Sequence, residues 1–387
     1  MKLALQLAYR NLVGAGLRTW LNVIVLAFAF LMIIFFNGLM DGWDRQARRD
    51  SIAMEFGNGQ LLHPDYDPYD PFSIQDGHGV LNSDQADKLT PILIRQASVY
   101  PQGRMVSALL KGIPVDQRIL TLPTAELKKS DAAIPVMIGK RMAASLNVKE
   151  GDKLLLRWRD KNGTFDAADM TVVHIFQTDV PAVDKGSIWL PMDKLEKMTG
   201  LVGHASEFIL SEGFDPSDTG GWTYKSQAML LQDITDIIAM KKTSSSVLYL
   251  MLVAIALIAI FDTQVLSVFR RQREIGTYVA LGMTRTQVVG LFTVEGSMYS
   301  LLAMAVGCIV GIPLFVYLAT TGIAFPTTTM AQDMGVAMSD RIFPVFGVQL
   351  VLGTVLLVVI AATIVSFLPA QKIARMNAVE ALKGKLQ

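Results

Sequence analysis

The sequence predicts an α-helical membrane protein with four transmembrane helices and a large α+β domain inserted between the first and second of them. Three observations lead to this fold class. The chain has 387 residues, is 51% hydrophobic and only 18% charged, and has a mean hydropathy of +0.39, which is too apolar for a soluble protein. Four apolar runs are each long enough to cross about 30 Å of hydrocarbon as a helix. A stretch of ordinary polarity, 42–242, separates the first run from the second.

The first run, 19–41, is expected to be an uncleaved membrane anchor. A signal peptide would have a shorter apolar stretch, followed by small residues at a cleavage site. The methionine and aromatic side chains of this run form an adaptable surface, which suits either a lipid-like ligand or plain contact with bilayer lipid. If the ligand is lipid-like, the residues predicted to line the substrate cavity are Phe28, Met32, Phe35, Phe36, Met40 and, from the second run, Met251.

The other runs contain features that plain hydrocarbon contact does not require. Asp262 interrupts the second run and Glu295 lies near the start of the third, and ionisable groups inside spans are costly and often functional. Both lie near the cytoplasmic face, so pairing with nearby arginines and a proton or substrate role are both open. Gly307-Cys-Ile-Val-Gly311 permits close helix packing, within one subunit or between two. The fourth run is expected to stop at Pro369, because proline cannot extend a helix.

Charged residues fix the predicted orientation. Arg270, Arg271, Arg273 and Arg285 lie between the second and third runs, whereas the block 41–242 has 23 Lys and Arg against 28 Asp and Glu. The positive-inside rule therefore places both termini in the cytoplasm and the large domain on the opposite side.

These observations divide the chain into nine predicted segments. In order they are a cytoplasmic amphipathic helix (1–18), the first span (19–41), the inserted α+β domain with helical stalks (42–242), the second span (243–269), a cytoplasmic loop or helix (270–287), the third span (288–320), a short opposite loop (321–342), the fourth span (343–368) and a cytoplasmic tail (369–387).

Local patterns support the α+β interpretation of the inserted domain. Alternating polarity in Lys153–Arg159, the Asn162-Gly163 pair and the apolar stretch 171–176 predict a β-hairpin. The residues 143–147 before it are typical of the end of a short helix. At both ends of the domain, apolar residues at helical spacing predict amphipathic helices continuous with the spans; ordinary core helices are the alternative.

Catalytic motifs are absent from the sequence. It contains no phosphate-binding G-x-x-x-x-G-K-[ST], no H-E-x-x-H and no G-x-S-x-G, and its single cysteine, Cys308, cannot form an internal disulfide. The acidic stretch His63–Asp70 fits a solvated loop or a weak cation site, and His63 with His78 supplies only two of the ligands that zinc needs. The net charge of +1 gives no reason to expect a nucleic-acid partner. We expect a non-catalytic subunit that itself binds neither metal nor cofactor.

The loop after the second span resembles the signature of FtsX-like, or MacB-type, permeases of ABC transporters. In that signature an arginine-rich turn precedes Arg-Glu-Ile-Gly, then Ala-Leu-Gly-Met-Thr, then a glutamate at the start of the next span. The corresponding residues here are Arg273–Gly276, Ala280–Thr284 and Glu295. Leu7–Leu12 is similar to the N-terminal helix of the family, and Pro369–Leu382 is similar to its C-terminal end.

A second similarity concerns the inserted domain. Val136–Asp152 is similar to the periplasmic domain of lipoprotein-releasing permeases, which makes Lol-type permease subunits the closest members of the family. Asp262 departs from the pattern, because a neutral residue, often Asn, is expected at that position.

The resemblance implies a multi-pass protein of the bacterial inner membrane with a MacB-like periplasmic domain. ATP and Mg²⁺ would be bound by a cytoplasmic ABC ATPase dimer, and a second permease chain, identical or different, would complete the membrane part. The residues implied to couple to the ATPase are Arg270, Arg271, Arg273, Glu274, Ile275, Gly276, Ala280, Leu281, Gly282 and Arg285.

The implied activity is mechanotransmission. Closure of the ATPase dimer would move the periplasmic domain and release a lipoprotein or another amphiphile from the inner membrane, with a periplasmic carrier or adaptor protein as a further partner. Two alternatives stay open. One is MacB-like efflux of peptides or drugs with an adaptor protein, and the other is non-transport signalling that regulates an envelope enzyme.

Overall fold

The computed structural model describes residues 17–217, 219–324 and 341–374. Most of the predicted amphipathic helix 1–18, of the predicted loop 321–342 and of the tail 369–387 lies outside these residues. Two compact units are formed, which we call the helical unit and the β-rich unit. The helical unit comprises Met1–Trp43, Ile238–Ile323 and Phe343–Gln387, and the β-rich unit comprises Asp44–Ile237 and Ala324–Ile342.

The described helices are numbered here in chain order. They are α1 (Leu17–Ser51), α2 (Lys140–Leu146), α3 (Pro181–Asp184), α4 (Met192–Thr199), α5 (Gln227–Leu230), α6 (Gln232–Arg270), α7 (Gln272–Ala280), α8 (Arg285–Thr321) and α9 (Val348–Ala374). A π-helical turn, Ile52–Phe56, follows α1, and short 3₁₀ turns lie at Pro71–Ile74, Ala86–Lys88, Pro101–Gly103 and Thr124–Lys129.

The described strands are numbered in the same way. They are β1 (Gly59–Leu62), β2 (Leu89–Val99), β3 (Val106–Ile113), β4 (Pro135–Gly139), β5 (Lys153–Arg159), β6 (Phe165–Phe176), β7 (Ser187–Pro191), β8 (Glu207–Leu210), β9 (Thr223–Ser226), β10 (Ile323–Ala324) and β11 (Arg341–Ile342).

Within the described residues, four helices are long and apolar enough to cross a membrane: α1, α6, α8 and α9. Helix α1 is the most enclosed of the four. Half of its most apolar stretch is buried inside the protein, whereas about a fifth of the corresponding stretch is buried in each of the other three helices. Its side chains Leu26 and Phe30 pack against α6, α8 and α9, which contribute Ile260, Ala303 and Ala362 respectively. In the three other helices, most of the apolar surface is therefore not covered by other residues of the chain.

Small residues allow α1 and α8 to approach closely. A Cβ atom added to Gly307 would lie 3.2 Å from Phe30 Cδ1, and one added to Gly311 would lie 2.4 Å from Leu31 Cδ2. The small-x-x-x-small pattern of α8 is therefore used for packing within one chain.

The fourth apolar helix differs from the prediction. Residues 343–347 are not helical, and α9 begins at Val348 instead of Phe343. The helix also continues through Pro369 to Ala374, so the expected stop at Pro369 is wrong. A proline removes one intrahelical hydrogen bond, but neighbouring helices can stabilise the turn, as is common in membrane helices. Here Ala370 is buried in a cluster with Val268 and Phe292.

The β-rich unit is built on one nine-stranded mixed sheet. Its strand order is β3-β7-β4-β6-β5-β2-β8-β1-β9, and an additional pairing joins β2 to β3. This pairing closes six strands into a barrel, and β8, β1 and β9 continue the sheet beyond β2 as a three-stranded wing. The pairs β3–β7 and β4–β6 are parallel, and the other described pairs of this sheet are antiparallel.

The barrel encloses a continuous apolar core. In β5, Leu154, Leu156 and Trp158 are buried whereas the residues between them are exposed, as the alternating sequence predicts. The buried residues pack with side chains of β2, β3, β4 and β6, and with Leu146 of α2. A second cluster, around Leu61 and Trp222, stabilises the wing.

The predicted hairpin is present, with a longer turn than a two-residue Asn-Gly connection. Strands β5 and β6 pair from Lys153↔Thr171 to Arg159↔Phe165. The five-residue connection is held by Asp160, whose Oδ1 accepts the backbone N–H of Asn162 and of Thr164. Gly163 takes φ +79, a conformation that favours glycine.

Candidate functional site

The short helix α7 is attached to the helical unit by one arginine. Arg271, directly before α7, donates through Nη1 to both carboxylate oxygens of Glu295 on α8, at 2.9 and 2.8 Å. Its Nε donates to Glu274 Oε2 at 2.7 Å, and its guanidinium carbon lies 4.9 Å from the ring centroid of Phe292. Arg271 therefore joins the start of α7 to the first turns of α8.

This ion pair is largely shielded from water. The side chains of Arg271 and Glu295 are 19% and 10% exposed. Burial alone would lower the pKa of Arg271, but hydrogen bonds and the negative charges of Glu274 and Glu295 raise it above its ordinary value. The guanidinium consequently remains charged, and it fixes the orientation of α7 through charge-assisted bonds.

Apolar packing holds the inner face of α7. Ile275 is 2% exposed and packs with Val288, Val289 and Phe292 of α8. Gly276 beside it is also buried. The helix is therefore attached along one face, and its opposite face stays accessible.

The residues implied to couple to an ATPase divide into two sets. Arg271, Ile275 and Gly276 hold α7 in place. The exposed set, which a partner protein could contact directly, is Arg270, Arg273, Glu274, Ala280, Leu281, Gly282 and Arg285. Leu281 is 79% exposed at the C-terminal end of α7.

The turn after α7 is stabilised by local hydrogen bonds. Gly282 has φ +97, and its N–H donates to Val279 O at 3.1 Å. Thr284 then caps α8 in a reciprocal capping box with Gln287. These interactions present Leu281 at a defined corner between two helices.

The two ionisable groups of the spans have different surroundings. Glu295 is paired with Arg271, which corresponds to the structural interpretation of this residue. Asp262 is exposed on the surface of α6, and among the described residues it has no basic side chain within 4 Å. Nearby polar packing in the bundle involves Gln264, Gly296 and Ser366 instead.

The residues selected for a substrate cavity do not converge on one described cavity. Phe36 contacts Phe35 edge-to-face at 5.2 Å and lies 6.1 Å from Tyr249 of α6. Phe28 and Met251 are 55% and 60% exposed, and Met32 and Met40 are half-buried. Phe36 therefore contributes to helix packing, whereas the side chains of Phe28 and Met251 lie exposed on the surface of the chain.

The histidines and acidic residues of the β-rich unit form local structure. His78 Nδ1 lies 3.0 Å from His204 Nδ1, while His63 packs edge-to-face on Trp222. In the part of the chain that the structure describes, no group of three or more His, Cys, Asp or Glu side chains could hold a metal ion. Asp70 accepts the N–H of Phe72 and caps a 3₁₀ turn.

Sequence reasoning missed one cavity. It lies on the β-rich unit and is lined by three arginines and two exposed aromatic side chains: Arg95, Arg157, Arg159, Phe72 and Phe165. The signal for part of it is Arg-Trp-Arg in β5, because alternate strand residues point to the same face.

Comparison with known proteins identifies the region that contains α7. Residues 246–378 match the family described as FtsX-like permease C-terminal. The C-terminal part of this chain is an FtsX-like permease domain. The permease domain includes the Arg271–Glu295 ion pair, the exposed corner at Leu281 and three of the four long apolar helices.

Two curated relatives are ABC transporter proteins. An uncharacterised ABC transporter permease of Methanocaldococcus jannaschii is 24% identical over 176 residues, which cover 46% of this chain and 40% of that protein. The macrolide export ATP-binding/permease protein MacB of Nitrobacter winogradskyi is 27% identical over 146 residues, which cover 37% of this chain and 20% of MacB. The matches thus span less than half the length of each relative.

A solved structure is similar to part of the chain. It is the extracellular domain of the noncanonic ABC-type transporter YknZ from Gram-positive bacteria, at 15% sequence identity and a TM-score of 0.24. The similarity covers 46% of this chain and 94% of the YknZ domain.

Proposed function

We propose that this chain is the permease subunit of an ABC transporter of the FtsX and MacB type, and that a separate ATPase subunit acts on it through α7. The observation that carries the proposal is the two-sided construction of α7. Arg271 and Ile275 attach one face to α8, and Arg273 and Leu281 remain exposed on the other. The 387 residues contain no phosphate-binding loop, which supports assigning ATP hydrolysis to a partner.

The proposed mechanism begins with the ATPase dimer on the cytoplasmic side. Closure of the dimer pushes on the exposed face of α7, and the Arg271–Glu295 pair passes the displacement to α8. The continuous helices α1 and α6 then carry motion beyond the membrane, where we place the β-rich unit in the periplasm. Such a device needs only a few kcal/mol of differential binding between two states.

The proposed assembly contains two permease chains, identical or different, in the bacterial inner membrane. Helices α6, α8 and α9 leave most of their apolar surface uncovered in one chain, which supports lipid and a second chain as their neighbours. We propose a lipoprotein or another amphiphile as cargo, and a periplasmic carrier or adaptor protein as a further partner. ATP and Mg²⁺ belong to the ATPase in this assembly.

The coupling proposal is tested by variants on the exposed face of α7. The chain is purified with its associated ATPase from native membranes, and that ATPase is identified and quantified by mass spectrometry. Leu281→Asp and Arg273→Glu should each reduce the bound ATPase by about tenfold or more, because each places an unfavourable group in a small interface. Arg118→Glu, an equal charge reversal on the exposed surface of the β-rich unit, should retain it.

A second experiment measures coupled transport. Two variants should uncouple ATP hydrolysis from cargo transport in reconstituted vesicles. Gly276→Pro deforms α7, and the combined charge reversal of Arg273 and Glu274 changes the charge of its exposed face. Normal assembly together with normal coupled transport in these variants would contradict the proposal.

The similarity to MacB favours a second candidate, which is efflux of peptides or drugs with an adaptor protein. The two candidates predict different contents of the purified complex. Bound lipid or lipoprotein detected by mass spectrometry would support release of an amphiphile. ATPase activity stimulated by an added adaptor and drug, without bound lipid, would support efflux. ATPase activity controlled by an envelope enzyme would support signalling instead.

A further inference from the structure

The β-rich unit contains a cavity of about 340 Å³ that the proposed transport function does not use. It is lined by residues of β2 and β5, by the turn after β5 and by the segment Pro71–Gln75. Its size is at the lower end of the range for small-molecule sites, which is about 300–1,000 Å³. The cavity therefore suits one compact ligand.

The positions of two arginines in this cavity follow from the strand pattern. Arg157 and Arg159 alternate with the buried residues Leu156 and Trp158, so both side chains lie on the outer face of β5. Phe165 is the cross-strand partner of Arg159. The guanidinium carbons of Arg157 and Arg159 lie 3.9 and 4.5 Å from the Phe165 ring centroid, so the ring orders both cations.

The stacked arginines keep their hydrogen-bonding edges accessible. A guanidinium that packs on a ring uses its face, and its N–H donors point sideways in the plane. Among the described residues, neither Arg157 nor Arg159 has a carboxylate oxygen within 4 Å. Asp160 also lines the cavity, but its Oδ1 already accepts two backbone N–H groups of the turn.

A third arginine adds positive charge deeper in the cavity. Arg95 is 5% exposed, and its Nη1 donates to the carbonyl oxygens of Ile74 and Gln75 at 3.0 Å each. The side chain is thus fixed by the protein itself. Three guanidinium groups line the cavity, against the lining carboxylate of Asp160 and the negative charge of Asp76 near Arg95, so the local charge is net positive and favours an anion.

Apolar groups lie beside the positive charge. Phe72 is 89% exposed and Phe165 is 50% exposed, and both line the cavity. Two ordered guanidinium groups supply the planar N–H donors that phosphate oxygens accept, and exposed rings suit an apolar or aromatic body attached to the phosphate. We propose that this cavity binds a phosphate ester with a small apolar or aromatic body, either a soluble phosphate ester or the headgroup of an anionic phospholipid.

The proposal is tested by isothermal titration calorimetry on the full chain in nonionic detergent. The probes are phenyl phosphate and dihexanoyl phosphatidylglycerol, with benzoate as the matching carboxylate. Phenyl phosphate should bind saturably with one site per chain. The double variant Arg157→Gln/Arg159→Gln should weaken its binding by about tenfold or more, because the paired donors are lost. Arg118→Gln, which removes an exposed arginine outside the cavity, should leave the Kd unchanged.

Two more variants separate geometry from charge. The double lysine variant Arg157→Lys/Arg159→Lys keeps both charges but loses the planar N–H donors. Phe165→Leu keeps both arginines but removes the aromatic ring on which they stack. Each should weaken binding by about threefold or more. All these positions are exposed, so thermal unfolding should be unchanged and should show that the variants are folded.

The outcomes distinguish the two sources of the phosphate. Tighter binding of phosphatidylglycerol than of phenyl phosphate, lost in the double glutamine variant, identifies a lipid headgroup. The reverse order identifies a soluble phosphate ester. The proposal is overturned if neither probe binds saturably, if the double glutamine variant keeps the wild-type Kd, or if benzoate binds more tightly than phenyl phosphate. These outcomes are independent of ATPase binding at α7, so the proposed transport function is tested separately.

Discussion

At the scale of single residues, Arg271 is the side chain that joins the start of α7 to α8 in the permease domain. It contacts two carboxylates and one aromatic ring, in a position largely shielded from water. Because α7 is only nine residues long, too short to be stable alone, its orientation depends on such tertiary contacts. Loss of this residue should therefore affect the position of the whole helix.

The ion pair gives a quantitative prediction. Glu295→Gln leaves the Arg271 guanidinium with only Glu274 as a carboxylate partner, so the free energy of unfolding should fall by about 2 kcal/mol. Chemical denaturation of the detergent-solubilised chain measures this change. Arg273→Gln, an exposed neighbour on the same helix, should change it by less than about 0.5 kcal/mol. If Arg271→Gln and Glu295→Gln are strictly additive in a double-mutant cycle, the two side chains do not interact.

His78 gives a prediction about pH. Burial, together with the positive charge of Arg95 and the neighbouring His204 and His63, lowers its pKa to about 4 from 6.5. The unfolded chain therefore binds a proton more readily, and stability should be lost as pH falls from about 6.5 towards 4. Thermal unfolding between pH 7.5 and 5 should show a smaller decrease in Tm for His78→Gln than for the wild type.

The matched control for this experiment is Asn162→Gln, which changes an exposed side chain of the same unit that does not titrate. It should retain the wild-type dependence of Tm on pH. An unchanged pH dependence in the His78 variant would show that another group is responsible.

Residue-level contacts were only partly predictable from the sequence. The sequence indicated that Glu295 lies near the loop arginines, but it did not show which arginine would pair with it. That choice depends on the break between α6 and α7, where Arg271 itself is not helical. The arginine cavity was not predicted, because Arg95 and Arg157 come together only through the pairing of β2 with β5.

At the scale of elements, glycines set how closely backbones approach in the helical unit. A Cβ atom on Gly42 of α1 would lie 2.2 Å from the backbone carbonyl oxygen of Phe343. Backbone cannot move aside as a flexible side chain can. This position therefore determines how the segment before α9 passes α1.

Gly42→Ala should consequently destabilise the helical unit, by about 1–3 kcal/mol, because overpacking forces a backbone shift. Gly353→Ala in α9 is the matched control, since an added Cβ there meets no atom within 4 Å. That substitution should be neutral or stabilising, because alanine favours helix more than glycine. Thermal unfolding of both variants in detergent gives the comparison, and equal Tm values would show that the close contact at Gly42 is unimportant.

The sequence predicted elements better than it predicted their pairing. Hydropathy predicted the four long apolar helices, because a run of about 20 apolar residues is typical of a helix that crosses a membrane. It failed at Pro369, since the cost of one missing hydrogen bond is offset by packing around Ala370. The closed barrel could not be read from the sequence, because the parallel pairings β3–β7 and β4–β6 join distant segments without a hairpin signal.

At the scale of the whole molecule, the predicted membrane orientation is open to a direct test. In a Cys308→Ser background, Leu281→Cys and Asn162→Cys each introduce one exposed thiol, in the permease domain and in the β-rich unit respectively. A membrane-impermeant maleimide added to spheroplasts should label Asn162→Cys only, and Leu281→Cys should react only after the membrane is opened. Labelling of both thiols in intact spheroplasts would contradict the proposed orientation.

The closed barrel also limits how copies of this protein can associate. Closure leaves six strands without a free edge, and the wing of the described sheet ends at β9, a strand of only four residues that includes Lys225. Short, charged edges are poor templates for a strand from another molecule. The β-rich unit is therefore protected against edge-to-edge aggregation while it remains folded. High local concentrations of the folded protein should consequently be tolerated without chaperones to shield that edge.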